Sequence, residues 1–535
     1  MTETGNSHWL DDCFLMAYID DAMNKHLTKF LLLLLISLCS HAKELTLLYT
    51  NDIESVYEPV GATWRDDIDR MGGMAHLATL IRQVRNESQN TLLLDAGDIF
   101  TGSLSKATQG KLAFDLYSAM GYDALNLGNH EFEYGWQKLR EVMPRARYPV
   151  LNANIFYEEL DVSFGQPFTI REVGGVRVAV LGSMGIDAFN NTIMKSNRMG
   201  LRVRSPAEVL QPIIDQIRGE VDFVVVLTHQ NRTAPMQTDK EADPEVQRGF
   251  EEDYELAGTL RGVDMIIGGH SDHGLHEPVR HPATGTYIGM TFGQGMHLGY
   301  AKFEVGESIR LVEGELIPVD ADRVAAANDI TDLIEAARNA NPELKEEIAV
   351  MSERVARRYY RESPLGNLLA DILRDYAGAD LAVFPAGAIR ADLEMGPLTK
   401  EEVLNVFPFT DKVATVPMKG EKLHMLLEKV VSLDYGLAQV SGVNIVFDRI
   451  RPVGERIVSV DIAGGPFDPS RTYEVVTLSF TATGGEGYDM FGEDVVISSK
   501  KVSDVLLDGF RKMKTVVAPQ SGRLVDRVVS EEIDR

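Results

Sequence analysis

The chain has 535 residues, more than one ordinary hydrophobic core organises, so two domains are expected. Its 44% hydrophobic content is that of a globular protein, and a net charge of −27 excludes a polyanion-binding surface, which needs clustered Lys and Arg to displace counterions. A phosphate-bearing small molecule must then be held locally, by metals or a few arginines, and no nucleic-acid polymer is expected as a partner.

The N-terminus opens with a possible second start, Met23, followed by Lys25, His26, Lys29 and the apolar run Phe30 to Ile36. This is the layout of a signal peptide, with a basic n-region and an apolar h-region. Ser40-His41-Ala42 offers a small-x-small cleavage site, which puts the mature start near Lys43, whereas Leu38 before Cys39 does not suit a lipoprotein signal. The run is short for a bilayer span, so cleavage is favoured over a signal anchor and no stable membrane anchor is expected. Residues 1–22 carry Asp11, Asp12, Asp20 and Asp21 where a signal is positive, and read as a start placed too far upstream. Both cysteines, Cys13 and Cys39, precede the cut, so the mature chain forms no disulfide. That suits a periplasmic or secreted protein that relies on its cores.

From residue 43 to about 318 one pattern recurs: a short apolar run ends abruptly in polar residues. The runs Leu45–Tyr49, Thr91–Leu94, Ala124–Leu127, Pro149–Leu151, Val176–Leu181, Phe223–Leu227 and Asp264–Ile267 read as buried strands. Amphipathic segments Met74–Arg85 and Ala207–Ile217 read as helices between them, predicting an α/β layered domain with its site at the strands' carboxyl ends. Residues 319–350 are expected to form a linker helix interrupted at Pro342, and residues 351–535 a second mixed α/β domain, with a helix over Pro364–Tyr376 and a strand over Tyr473–Ser479.

Five of the first domain's runs stop at metal-binding residue types: Asn51-Asp52-Ile53-Glu54, Asp95-Ala96-Gly97-Asp98, Gly128-Asn129-His130-Glu131, Thr228-His229 and Gly268-Gly269-His270-Ser271-Asp272. One alone is as readily a turn or cap residue. Five in a single domain, each after a buried strand, can converge as the carboxylate, amide and imidazole ligands of a two-metal centre.

The order Asp-x-Glu, Gly-Asp, Gly-Asn-His-Glu, His, Gly-His resembles the calcineurin-like metallophosphoesterases. Farther on, Glu362-Ser363-Pro364-Leu365-Gly366-Asn367, Gly387-Ala388-Ile389-Arg390, Pro408-Phe409 and the Phe480 to Tyr488 segment resemble the C-terminal domain of bacterial 5'-nucleotidases. The resemblance implies a four-layer β-sandwich flanked by helices for the first domain and a nucleotide phosphoester hydrolase overall. It makes Asp98 the carboxylate bridging two divalent ions, puts Asp52 on the first, and puts Asn129, His229 and His270 on the second. The ions would hold a hydroxide and phosphoryl oxygens for in-line attack. His130 would face the leaving oxygen, with Glu133 orienting it where the family has Asp. Phe409 and Phe480 stand at the positions of the aromatic pair that sandwiches a base, Gly485 allows close backbone approach, Glu486 stands where an Asp bonds the ribose, and Arg390 holds phosphate or ligand. Read without the glycine-rich motif around it, Phe480 would count as core.

The sequence also departs from the pattern. Glu54 replaces the usual His of the first strand's motif, and Asp272 replaces a His or Gln, both on the first metal. The two added carboxylates turn a centre of about +1 into one of about −1, and an oxygen-rich site suits Mn or Fe before Zn, with Mg or Ca possible. Tyr359 and Pro385 stand where Arg and Asn are usual, so nucleotide sugars, 2',3'-cyclic nucleotides and non-nucleotide phosphoesters stay open as substrates. A catalytically weak ligand-binding homologue is the different-class alternative.

Overall fold

The computed structural model describes residues 42–62, 65, 67–231 and 249–528. The signal peptide, its proposed cleavage site up to His41 and both cysteines lie outside the described residues. Among the described residues no helix is long and apolar enough to cross a membrane.

All seven sequence-predicted runs are strands or strand-bearing segments, distributed over two six-stranded sheets. In the first sheet Lys43–Thr50 pairs in parallel with Thr91–Asp95, which continues to Ala124–Asn126 and Val150–Leu151. On its other side Lys43–Thr50 pairs antiparallel with His297–Val305, and Ile309–Pro318 closes that edge. In the second sheet Phe223–His229 lies parallel between Val176–Met184 and Met265–Ile267.

Alternation along the strands builds the layers. Leu45, Leu47, Tyr49, Leu92 and Leu94 meet Val178, Val180, Val225, Leu227, Met265 and Ile267 in a core between the sheets. Leu48 and Leu93 point outward onto the helix Met74–Glu87, while Ala179, Leu181, Val224, Val226 and Ile266 face the helices Pro206–Ile217 and Glu251–Thr259. Both sheets are therefore covered on both faces, and the result is helix, sheet, sheet, helix. Strands so buried leave only their ends to carry polar chemistry.

After the first domain comes the helix Asn328–Ala340, then a 3-10 turn at Pro342–Lys345. The strand Glu347–Met351 that follows already belongs to the second domain's pairing, antiparallel to Gly396–Thr399 and parallel to Thr515–Val516. The second domain's main sheet has the order Gln439–Ser441, Leu381–Phe384, Thr472–Leu478, Lys412–Lys419, Val496–Lys501. The helix Pro364–Ala377 packs on it, with Ser363 capping the helix start through Gly366 N.

The halves meet through the helix Gly102–Thr108, which packs on Lys400–Val406. Ser103 N donates to Asn405 Oδ1 at 2.9 Å, and Lys106 Nζ to the Phe409 carbonyl at 2.8 Å. On the opposite rim Tyr435 donates to Asp187 at 2.7 Å.

Candidate active site

The carboxyl ends of the strands bring the predicted donors together. His229 closes the strand Phe223–His229, and its Nε2 lies 2.9 Å from Asp98 Oδ2, 3.0 Å from Asn129 Oδ1 and 3.9 Å from Asp52 Oδ1. Its Nδ1 is 3.0 Å from the Ala96 carbonyl. A ring whose Nδ1–H donates to that carbonyl presents a lone pair at Nε2. Nε2, the Asp98 carboxylate and the Asn129 amide oxygen then form three acceptors around one point, which a cation satisfies.

Asp98, His229 and His270 can converge their ligand atoms within 4.8 Å of one another, and so can Glu54, Asp98 and His130. Asp98 is common to both groups, as a bridging ligand must be. Asp52 takes both oxygens to the His270 backbone N–H at 2.9 Å, and Asn51 donates to Oδ2 at 2.7 Å. Asp272 is buried, and its Oδ1 has no hydrogen-bond partner. A buried carboxylate oxygen without a donor, beside a hard-oxygen and imidazole donor set, fits divalent ions.

The backbone that delivers these groups is unusual. Asp52, Glu54, Asp98, His270 and Asp272 all have φ between 50° and 80°, the left-handed region that side chains disfavour. Glu131 holds part of this arrangement: its carboxylate accepts from the backbone N–H groups of Asp98, Ile99, Phe100 and Gly128 at 2.6–3.2 Å. Burial, with the Asp98 charge, pushes this carboxyl up to about 7, and His229 with the N–H groups of Gly128 and Ile99 opposes that rise.

His130 Nδ1 sits 2.7 Å from Glu133 Oε1, and Thr101 also donates to that oxygen. Nε2 is left facing Glu54 at 3.4 Å and Asp98 at 3.9 Å. Burial alone would lower its pKa, but Asp98 and Glu133 outweigh it and raise the imidazole to about 10. The longer Glu side chain thus reaches the ring.

The second domain supplies the facing wall. Arg390, Phe409, Phe480 and Glu486 line one cleft with Glu54, Asp98, Asn129, His130, Glu133, His270 and Asp272. Phe409 and His130 have ring centroids 6.0 Å apart. Asp52 and His229 lie beneath this wall rather than on it, as ligands behind an ion would. Gly485 is not part of the cleft lining: a Cβ there would stand 2.5 Å from the Phe480 ring, so this glycine makes room for the aromatic ring. Burial, opposed by Lys429 and Arg390, brings the Glu486 carboxyl up to about 7. Arg390 is ion-paired with Glu54, Nη1 donates to Gly387 O at 3.3 Å, and Nε has no partner.

Three supporting residues have no role that the sequence assigns: Glu131, Lys106 and Asp411. Asp411 accepts from Phe480 N at 2.7 Å and Ser479 Oγ at 3.0 Å, tying the two aromatic segments together. Glu131 ends the Gly-Asn-His-Glu motif and Asp411 stands two residues after Phe409, but most of their partners, the N–H groups of Asp98, Ile99 and Phe100 and the Ser479–Phe480 segment, are distant in sequence and no local pattern announces them.

Residues 45–273 match the family model of the calcineurin-like phosphoesterases, and residues 343–493 that of the 5'-nucleotidase C-terminal domain. The fold and donor set define a metallophosphoesterase, a phosphoester-hydrolase class of enzyme. The chain belongs to the branch that joins these two modules, the 5'-nucleotidase type. It is 26% identical to human 5'-nucleotidase, covering 90% of this chain and 91% of that one, and 27% identical to the Yersinia enterocolitica protein UshA, covering 83% and 86%. The solved 5'-nucleotidase precursor of Thermus thermophilus aligns with a TM-score of 0.79 at 26% identity, over 90% of this chain and 99% of that one. A sulfate thiohydrolase of the same organism, SoxB, shares the fold at 20% identity and a TM-score of 0.74, over 90% of this chain and 96% of that one, so the fold by itself does not set the substrate.

Proposed function

We propose that the protein is an exported hydrolase of nucleotide phosphoesters that works with two divalent ions. The observation that carries this reading is the single cleft in which the Asp98-centred donors face Arg390, Phe409 and Phe480. A phosphoryl group at the donors and a planar base at the rings is the ligand such a cleft accommodates. The Yersinia relative UshA and the 5'-nucleotidases among the relatives support the nucleotide, and the signal-like segment before Lys43 supports export to the periplasm or beyond.

Asp98, Asn129, His229 and His270 would hold one ion, and Asp98, Asp52, Glu54 and Asp272 the other. When bound, such ions supply positive charge for the phosphoryl oxygens and lower the pKa of water; the oxygen-rich second set favours Mn or Fe over Zn. The chain's own residues do the rest. Glu133 and Thr101 fix the His130 ring, so that Nε2 is aimed into the cleft to stabilise or protonate the departing oxygen. Arg390 Nε, without a partner, is available to a phosphate or sugar oxygen. Phe409 and Phe480 offer faces to a base, and Glu486 a carboxylate to a sugar hydroxyl.

The test is a panel of nucleoside monophosphates, 2',3'-cyclic nucleotides, nucleotide sugars and aryl phosphates, each assayed with Mn, Fe, Mg, Ca and Zn. Preferential turnover of nucleotides with Mn or Fe is expected. Equal kcat/KM for nucleotides and aryl phosphates would overturn the nucleotide assignment, and full activity with zinc alone the metal preference.

A further inference from the structure

Of the two carboxylates that set this centre apart from the family pattern, one is ion-paired with an arginine of the second domain and the other lines the same cleft as a second arginine of that domain. Glu54 is ion-paired with Arg390. Asp272 shares the cleft wall with Arg357; burial and the Asp52 charge push its carboxyl up, while Arg357 pulls it down. Both arginines are anchored on their own side. The backbone N–H of Arg390 donates to Val406 O at 2.9 Å and its Nη1 to Gly387 O. The backbone N–H of Arg357 donates to Asp392 Oδ1 at 3.0 Å, and its Nε lies 3.9 Å from the same oxygen. Arg357 stands two residues before Tyr359, which occupies the position where an arginine is usual, so a positive charge is retained near the centre but enters from a different backbone position.

We propose that Glu54 and Asp272 are positioning residues that dock Arg390 and Arg357, joining the two walls of the cleft by charge at the metal centre itself. Ser103 with Asn405, Lys106 with Phe409 and Tyr435 with Asp187 also link the domains, without a charged pair between them. The two arginines also offset the two added negative charges, returning a centre of about −1 toward +1 and making it attractive to a phosphate only while the second domain is seated. Glu54 further fixes one end of the Arg390 guanidinium, while its buried Nε is left without a hydrogen-bond partner.

The docking part of this inference does not depend on the proposed substrate; only its consequence for phosphate attraction does. Two double-mutant cycles test it, Glu54→Gln with Arg390→Gln and Asp272→Asn with Arg357→Gln, on the full chain with and without chelator. Each single variant is expected to lower the thermal midpoint by several degrees and each double variant to fall no further than its worse single. In active protein the KM increases for a phosphoester should be equally non-additive, and Arg390→Lys, which keeps the charge, should recover most of the midpoint. Elemental analysis of bound metal accompanies each variant. Additive losses in both cycles, or a Glu54→Gln variant that loses an ion yet shows no coupling to Arg390, would overturn the proposal, because Glu54 would then act only as an ion ligand. If a glutamine variant of either arginine does not fold, Arg390→Met and Arg357→Met, which keep the apolar stem and remove the charge, carry the same cycles. A protein inactive on every phosphoester but coupled in the chelated state would sink the hydrolase reading and leave the docking intact.

Discussion

The donors on the first-domain wall of the cleft form a polar network, whereas the second-domain wall sets the aromatic faces of Phe409 and Phe480 beside its arginines and Glu486. On the first, each donor is held by another polar group: His229 by the Ala96 carbonyl, His130 by Glu133, and the Asp98 backbone by Glu131. On the second, Phe480 packs on Gly485 and its backbone N–H is held by Asp411, so its ring needs only shape. A buried polar network fails as a unit when one member is removed, because its neighbours are left unpaired. An aromatic face loses only its own contact area.

The sharpest way to break this contrast is Asp98→Asn. It removes the one carboxylate common to both ligand groups, and hydrolysis should become undetectable while bound metal, measured by elemental analysis, falls. Retention of both ions would show that Asp98 does not bridge. Next in size, His130→Gln should lower kcat by roughly 10²–10⁴-fold, the usual worth of a positioned acid–base group, with KM little changed. Steady-state kinetics on a phosphoester with a good leaving group would sharpen this: the deficit should shrink there, since such a group needs little help to depart.

Phe409→Ala should act locally. If it loses about 1–3 kcal/mol of stacking, KM for a nucleotide rises on the order of 10–100-fold while that for an aryl phosphate changes far less. Equal losses for both would mean that Phe409 supports the His130 ring it neighbours more than it binds a base. The smallest effect concerns stability. Burial, opposed by Arg218, holds the Asp264 carboxyl up to about 6 at the start of the strand Met265–Ile267. A raised folded-state pKa means that the native chain binds this proton more tightly than the unfolded chain. The resulting stability is present below about pH 4 and is lost as pH rises toward 6. Urea midpoints of Asp264→Asn should therefore lack part of the decline that the unaltered protein shows across that window.

The strands of the first domain were legible because burial on both faces writes them as uninterrupted apolar runs. The strands His297–Val305 and Ile309–Pro318 were not singled out: the second is half exposed, and its mixed pattern, with Glu313, Gly314 and Glu315 inside it, does not mark a core strand. The donor residues were readable because each follows such a run. Glu131, Asp411 and Lys106 have no role that the sequence assigns, since a buried acid serving backbone N–H groups, or a lysine serving a carbonyl from the other domain, has no charged partner to give it away. The pairing of Glu54 with Arg390 was hidden for a related reason. Sequence distance says nothing about which arginine crosses the cleft, and the charge surplus could be counted before its counterweight could be found.

The left-handed backbone at Asp52, Glu54, Asp98, His270 and Asp272 carries a consequence for how this protein can change. Each such residue costs of order 1–3 kcal/mol that glycine would not incur. Glycine would relieve that strain but would also strip out the carboxylate or imidazole that its buried neighbours are bonded to, so heat resistance cannot be gained at these positions without giving up the donors themselves.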